Sequence, residues 1–152
     1  MLIKGMNCIL KFEEKHIKKC SNIYPNIFNS EPWNENWSVE TAYNRLKDIY
    51  DSPKFKGLVY IDNGKILGAI LGNIECWDKG FKYSLKEFFI DNNCQGRGIG
   101  SSMIDFMENE LKKINVNSIE LYTLRGRQTE GFYKKNGYEK SCDTIIMNKV
   151  CT

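Results

Sequence analysis

The segment Gln95-Gly96-Arg97-Gly98-Ile99-Gly100-Ser101 joins a predicted strand, residues 83–91, to a predicted helix, residues 101–114. Glycine lets a backbone turn tightly and come close to a ligand, because it has no Cβ atom. The N–H groups at a helix N-terminus lack partners within the helix, and the helix dipole favours an anion there. This segment therefore predicts a site for an anion the size of a diphosphate; the alternative is a glycine-rich turn between strand and helix that binds no ligand.

Two known classes of glycine-rich loop differ from this segment. A P-loop needs Gly-Lys-Ser/Thr at the start of the helix, and Ile99-Gly100-Ser101 lacks the lysine. A dinucleotide-binding loop has the pattern GxGxxG; Gly96 and Gly98 fit it, but the third glycine comes one residue early. Glu120 lies at the spacing of the ribose-binding acid, so a Rossmann-like nucleotide-binding domain remains an alternative.

In the part of the chain before this segment, the spacing of apolar residues predicts one strand, then two helices and then three strands. A strand at 6–12 and a helix at 13–24 are predicted, with Pro25 ending that helix because proline lacks an N–H. Ser38 is a candidate N-cap for a helix that continues to residue 50. Strands follow at 58–61, 66–74 and 83–91, with an Asn63-Gly64 hairpin turn between the first two. Gly68 and Gly72 indicate a bulge or a close backbone approach.

After the glycine-rich segment we predict the helix at 101–114, a strand at 118–124, a helix at 129–136 with Gly137 as C-cap, and a strand at 138–149. The order β-α-α-β-β-β-α-β-α-β predicts a mixed α/β (α+β) fold in one domain over residues 1–152. We expect a central, mostly antiparallel sheet with one parallel strand pair and helices on both faces.

Composition argues against several other classes. The chain has 152 residues, 41% of them hydrophobic, and a net charge of only +3, so no nucleic-acid partner is expected. No apolar run approaches the roughly 20 residues of a membrane span, and residues 1–10 do not resemble a signal peptide. The six cysteines form no CxxC pair and His16 is the only histidine, so we expect no metal site and a cytoplasmic protein.

Two motifs together resemble the GNAT superfamily of N-acetyltransferases. Gln95, Gly98 and Gly100 match its pattern Gln/Arg-x-x-Gly-x-Gly/Ala, and residues 132–138 resemble its Phe-Tyr-x-x-x-Gly-Phe segment. The resemblance covers residues 58–147. Gly126 and Thr129 depart from it, standing where members often carry Asn and Ala.

The resemblance implies a protein that uses acetyl-CoA as co-substrate, without a metal. It implies acetyl transfer to a primary amine of a small molecule or peptide, by direct attack in a ternary complex, in a monomer or homodimer. The diphosphate would bind at residues 95–101. A backbone N–H near Phe89 or Ile90 would donate to the thioester carbonyl, and Tyr133 would protonate the departing thiolate. For Tyr133, the alternative is a half-buried helix tyrosine that packs the core.

Glu87 is the candidate general base. An alkylamine is mostly protonated at neutral pH, so its attack needs a proton acceptor. Glu87 lies within an apolar stretch, where partial loss of water would raise the pKa of its carboxyl. The alternative is a structural glutamate in an ion pair.

In this fold the region around the first two helices usually covers the acceptor. Trp33, Trp37 and Glu31 lie there, and aromatic faces with a carboxylate suit a cationic amine. The alternative is that the tryptophans pack the helices against the sheet. For the protein as a whole, the alternative function is that of a non-catalytic acyl-CoA-binding or regulatory module with the same fold.

Overall fold

The computed structural model describes residues 8–152, so Met6 and Asn7 of the first predicted strand lie outside the described part. Its strands are β1 (Cys8–Lys11), β2 (Phe55–Asp62), β3 (Lys65–Trp77), β4 (Gly80–Ile90) and β5 (Val116–Glu120). Its α-helices are α1 (Ile17–Phe28), α2 (Val39–Tyr50), α3 (Ile99–Lys113) and α4 (Glu130–Lys135). Short 3-10 turns, Glu14–His16 and Asn92–Cys94, precede α1 and follow β4.

The described chain forms two compact units, one up to Tyr122 and the other Thr123–Thr152. The first unit holds the whole sheet, and the second holds α4. The interpretation of residues 1–152 as one domain remains a prediction. No helix within residues 8–152 combines the length and the apolar character needed to cross a membrane.

The sheet has the order β1-β2-β3-β4-β5. The first four strands pair antiparallel in sequence, whereas β5 pairs parallel with β4 after the α3 crossover. Helices α1 and α2 share a buried cluster with Ala69 and Leu71 of β3. The buried side chains of α3 lie outside that cluster, and α3 packs on β2, β4 and β5. The predicted fold class is therefore confirmed.

Several local signals form as predicted. The hydroxyl of Ser38 accepts a hydrogen bond from the Thr41 N–H at 3.0 Å and so caps α2. In the β2–β3 hairpin, Asn63 has a φ of 50° and Gly64 a φ of 77°, and a type I′ turn requires positive values at both positions. Gly137 has a φ of 90° after α4, as its predicted C-cap role requires.

Strand β4 carries a bulge at Lys86. Leu71 pairs with Glu87 while its neighbour Gly72 pairs with Leu85, so Lys86 has no opposite residue on β3. Gly72 also lies so close to the Ser84 carbonyl and the Tyr83 ring that a Cβ there would clash. Both interpretations of the strand glycines, a bulge and a close approach, thus apply to Gly72.

Two predictions about the elements are wrong, one about where a helix ends and one about a strand. Pro25 does not end α1, which continues to Phe28 with proline inside it. An interior proline costs a helix about 3 kcal/mol. Burial of Tyr24, Ile27 and Phe28 in the core offsets that cost.

The second wrong element is the predicted last strand, since residues 138–149 form no strand. A strand needs a neighbour to pair with, and Ile145, Ile146 and Met147 are instead 78%, 59% and 84% exposed. Element ends also differ: β5 ends at Glu120 rather than 124, and α3 begins at Ile99 rather than 101.

Candidate functional site

The glycine-rich turn lies between β4 and α3. Gly96 and Gly98 have φ angles of 80° and 77°, a region that side chains with a Cβ rarely enter. A Cβ added at either position would have no atom within 4 Å. The backbone conformation, and not crowding by protein atoms, therefore requires glycine here, and the space beside both residues is open.

The N-terminus of α3 has no side-chain cap, because its N-cap residue is Gly98. The first helical hydrogen bond runs from the Ser102 N–H to the Gly98 carbonyl at 3.1 Å. The preceding amides, of Ile99, Gly100 and Ser101, are the donors that a helix N-terminus leaves without intrahelical acceptors. They provide the donors that an anion site at this position needs.

The other residues of the turn have separate structural roles. The Gln95 amide donates to the Ile90 carbonyl at 3.1 Å and to Asn92 Oδ1 at 3.0 Å, which ties the turn to the end of β4. Arg97 is exposed, and Ile99 is buried beneath the helix start. Gln95 thus holds the shape of the turn, and Arg97 leaves a cation at its surface.

Strands β4 and β5 separate beyond Ser84. Their parallel pairing joins Phe81–Ser84 to residues 116–120, whereas the part of β4 from Glu87 to Ile90 pairs with β3. In the described chain, that second half of β4 has no strand on its β5 side. Phe89 is buried against Tyr24 and Phe28, while its main chain and that of Ile90 lie along this unpaired edge.

A cavity of about 340 Å³ opens where the two strands separate, with α2 along one side. The α2 side contributes Arg45, Asp48, Ile49 and Ser52, the sheet contributes Asn73, Ser84, Leu85 and Lys86, and the chain leaving β5 contributes Glu120, Leu121 and Tyr122. All of these residues belong to the first unit. The cavity therefore adjoins the bulge and the strand that carries the candidate base.

Glu87 is held by two donors that reach it from the helices. Its Oε1 accepts a hydrogen bond from the Tyr24 hydroxyl at 2.9 Å and an ion-pair hydrogen bond from Arg45 Nε at 3.0 Å. The Glu87 side chain is only 11% exposed. Arg45 also lines the cavity, so it connects the carboxylate to that space.

Burial determines the direction in which the pKa of Glu87 shifts. Loss of water raises the pKa of the carboxyl, and this outweighs the opposing effects of the Arg45 charge and of the hydrogen bonds from Arg45 and Tyr24. The same burial, with the nearby Glu87 charge, raises the pKa of Tyr24, which stays a neutral donor. Glu87 is thus both ion-paired and a stronger base than an ordinary glutamate.

The predicted acceptor residues lie on the α1–α2 side. Trp37 packs edge-on against Tyr24 with ring centroids 5.0 Å apart, and its Nε1 donates to Glu35 at 3.1 Å. Trp33 packs against Phe28 at 5.1 Å. Both tryptophans are half-buried against the core, whereas Glu31 is exposed. Trp37 is therefore one residue removed from Glu87, through Tyr24.

Tyr133 lies in the second unit, on α4. Its ring packs edge-on against Phe132 and Tyr138, with centroids 5.1 and 5.5 Å apart. Thr129, which departs from the family pattern, is buried and donates to the Leu124 carbonyl at 2.6 Å, bracing the turn before α4. Within residues 8–152 there is no group of three or more His, Cys, Asp or Glu side chains that could hold a metal.

The sequence analysis did not identify Tyr24 and Arg45 as partners of Glu87, or Lys86 as a residue of the site. Tyr24 and Arg45 are 63 and 42 residues from Glu87 along the chain, and nothing local indicates that they meet it. For Lys86 the glycine at position 72 was a usable signal, because a strand glycine often marks a bulge.

Comparisons with known proteins agree with this geometry. The model of a family described as acetyltransferase (GNAT) domain matches residues 53–140. A search of curated proteins found no match. Several solved structures share the fold at low sequence identity.

A possible acetyltransferase from Clostridium difficile 630 has a TM-score of 0.81 at 16% identity, covering 97% of this chain and 99% of that one. A predicted acetyltransferase with acetyl-CoA from Clostridium acetobutylicum has a TM-score of 0.72 at 18% identity, covering 94% and 96%. AAC(6')-Iy, in complex with the bisubstrate analog CoA-S-monomethyl-acetylneamine, has a TM-score of 0.72 at 13% identity, covering 97% and 100%.

The family match includes β2 to β5, the glycine-rich turn, α3 and α4, which is more than half of the chain. This chain belongs to the GNAT acetyltransferase family.

Proposed function

We propose that the protein transfers an acetyl group from acetyl-CoA to a primary amine of a small molecule or peptide, by direct attack in a ternary complex. One observation carries the proposal. The half of β4 that has no β5 partner is joined, through the glycine-rich turn, to the uncapped and open N-terminus of α3. Such an arrangement offers amide donors for a diphosphate beside an open strand edge.

The residues present fit acetyl-CoA. Open space beside Gly96 and Gly98 and the amides of Ile99, Gly100 and Ser101 suit the diphosphate, with Arg97 as a nearby cation. The N–H of Phe89 or Ile90 would donate to the thioester carbonyl oxygen, where negative charge develops. The solved structures that contain acetyl-CoA or a CoA analog share this fold and support the assignment.

Acetyl-CoA supplies the acetyl group already activated as a thioester. The acceptor nitrogen forms the new carbon–nitrogen bond while the carbon–sulfur bond breaks and its electron pair goes to sulfur. Glu87 takes the proton lost by the amine, directly or through water, and Tyr133 gives a proton to the sulfur. The raised pKa of Glu87 supports the first role, since it makes the carboxylate a better proton acceptor.

We propose that Trp33, Trp37 and Glu31 form an outer part of the acceptor site. Contact of Trp37 with Tyr24, and of Tyr24 with Glu87, supports this placement. Trp33 and Trp37 also pack on the core, so these two residues would combine packing with binding.

The proposal is tested by thiol release from acetyl-CoA across a panel of amines, together with calorimetry using acetyl-CoA, CoA and NAD. Amine-dependent thiol release and binding of the CoA species alone are expected. Tight CoA binding without turnover for any amine would favour a non-catalytic acyl-CoA-binding module, and binding of NAD would favour a nucleotide-binding domain.

A further inference from the structure

The cavity between α2 and the separating strands has a charge pattern of its own. On the basis of the proposed acetyl transfer, we propose that this cavity binds the acceptor and that the acceptor is a zwitterion of amino-acid size. Arg45 and Lys86 would bind its carboxylate, and Asp48 and Glu120 would attract its amino group.

The α2 wall presents both signs of charge on one face. Arg45, Asp48 and Ser52 all line the cavity. They recur at three- and four-residue spacing, so their side chains lie along the same side of the helix and its C-terminal extension. A cation, an anion and a hydroxyl therefore face the same space. A cavity built for a simple amine would need only the anion.

Arg45 retains hydrogen-bond donors. Among the described residues its one hydrogen bond is from Nε to Glu87, at 3.0 Å. The two terminal amino groups of the guanidinium then remain as donors, and a planar carboxylate matches their geometry. The side chain is 40% exposed where it lines the cavity, so a ligand can reach it.

Lys86 and Asp48 supply charges that no protein partner neutralises. Neither has an ion pair within residues 8–152, and both line the cavity. Lys86 reaches the cavity as the extra residue of the β4 bulge. An unpaired cation and an unpaired anion therefore line the same cavity. Together they are complementary to a ligand that carries both charges.

Glu120 completes the acidic side. It lines the cavity, and Lys82 Nζ lies 3.4 Å from its carboxylate and 3.8 Å from that of Glu75. Two carboxylates thus share one lysine, so the charge of Lys82 does not neutralise both Glu75 and Glu120. Lys82 itself is fixed over the Trp77 ring, with Nζ 3.5 Å from the ring centroid.

The volume limits the ligand. The cavity measures about 340 Å³. Sites for small ligands begin at roughly this size, about 300 Å³. A ligand the size of a single amino acid therefore fits this cavity, which is open to solvent on one side. Larger amines would extend out of the cavity.

The test compares amines that differ only by a carboxylate. The proteinogenic amino acids are assayed by thiol release, and leucine, phenylalanine and lysine are paired with isoamylamine, phenethylamine and cadaverine. The same pairs are titrated calorimetrically into the protein saturated with CoA. We expect at least about a tenfold preference for the carboxylate-bearing partner in one or more pairs, equivalent to about 1.4 kcal/mol.

Lys86→Gln should reduce that preference to near unity and leave the affinity for CoA unchanged. Lys65→Gln is the matched control, because Lys65 is an exposed lysine at the hairpin turn, outside the cavity lining. It should keep the full preference.

The two proposals fail in different ways. Turnover that is equal or better with the decarboxylated amines would overturn the zwitterion assignment and leave acetyl transfer standing. A carboxylate preference in binding, lost in Lys86→Gln, without thiol release from any amine would support the zwitterion site and contradict the transfer. A result with neither preference nor turnover would reject both.

Discussion

At the scale of single residues, the proposed chemistry depends on how Glu87 is held. Its carboxylate is nearly buried, and Tyr24 and Arg45 both donate to the same oxygen. Such contacts orient a base, but they also describe a structural ion pair. The two interpretations differ in their kinetic consequences.

Replacing Glu87 by Gln should lower kcat by about 100-fold or more, the range for loss of a general base. The affinity for CoA should not change, because Glu87 lies outside the glycine-rich turn. Glu139→Gln, at an exposed glutamate of the second unit, is the control and should have wild-type kinetics. Wild-type turnover in Glu87→Gln would leave the carboxylate a structural role only.

Tyr24→Phe should move the acid limb of the kcat/KM profile to higher pH. A general base must be unprotonated, so the rate falls as pH falls through its pKa. The Tyr24 hydroxyl lowers the pKa of Glu87 by donating to it, and its removal raises that pKa further. A kcat/KM profile measured from about pH 5 upward, above the ordinary glutamate pKa of about 4.3, tests this, and an unchanged acid limb would exclude Glu87 as the titrating base.

The sequence alone predicts Glu87 as a candidate because an acid within an apolar stretch is unusual. It does not predict Tyr24 or Arg45 as its partners, since their contacts depend on how α1 and α2 pack on the sheet. Residue type and neighbourhood along the chain therefore identify a candidate base, whereas the electrostatic environment of that candidate requires the tertiary structure.

At the scale of elements, the turn before α3 and the β2–β3 hairpin offer a matched comparison. Gly98 and Gly64 both have a φ of 77°, and neither has an atom within 4 Å of an added Cβ. A side chain at either position brings backbone strain of about 1–2 kcal/mol. Only Gly98 borders the proposed diphosphate site.

Gly98→Leu should therefore weaken CoA binding by at least about 100-fold, because the side chain fills the space beside the α3 amides. Gly64→Leu should lose similar stability and retain wild-type CoA affinity. Calorimetry on both variants measures the difference, and equal affinity in the two would contradict the diphosphate site.

Ser38→Ala should lower the free energy of unfolding by about 1 kcal/mol, since the Thr41 N–H loses its acceptor. Urea denaturation measures this change. Ser102→Ala is the control, because Ser102 lies on the exposed side of α3. A surface change of this kind should leave stability within about 0.5 kcal/mol of wild type. A loss in Ser38→Ala no greater than that of the control would mean that the cap is not needed for α2.

The elements that sequence analysis predicts well have local causes, such as the Ser38 cap and the Asn63-Gly64 turn. The two failures have non-local causes. Pro25 is tolerated because Tyr24, Ile27 and Phe28 are buried by other elements. Residues 138–149 have an apolar pattern but pair with no other strand, and such pairing depends on residues far away in the chain.

At the scale of the whole molecule, acetyl-CoA should stabilise the protein by mass action. At a concentration of about 100 times Kd the stabilisation is about 2.7 kcal/mol, or a rise in Tm of about 5–10 °C. NAD should produce no rise, and Gly98→Leu should abolish the effect of acetyl-CoA while Gly64→Leu keeps it. A comparable rise in Tm with NAD would favour the alternative of a Rossmann-like nucleotide-binding domain.

The order of elements and the glycine-rich turn are enough to predict five strands of the sheet and its parallel pair, because crossover rules leave few topologies, whereas the sixth predicted strand does not form. The cavity is not predictable in this way, since it arises where β4 and β5 separate and α2 covers the gap. Its lining residues come from parts of the chain as distant as Arg45 and Tyr122.

The extra residue in β4 has a consequence for how this chain can vary in length. On either side of Lys86, successive side chains of β4 point to opposite faces of the sheet in regular alternation. Lys86 is one extra residue in that alternation. Loss of the Lys86 codon would shorten the strand by one residue. The side chains of Ser84 and Glu87 would still point to the face of the sheet that α1 and α2 cover. Loss of a codon between residues 87 and 90 would instead turn the remaining side chains to the opposite side. Lys86 is therefore the residue that β4 can lose without reversing its faces, although that loss would remove a cation proposed to bind the acceptor.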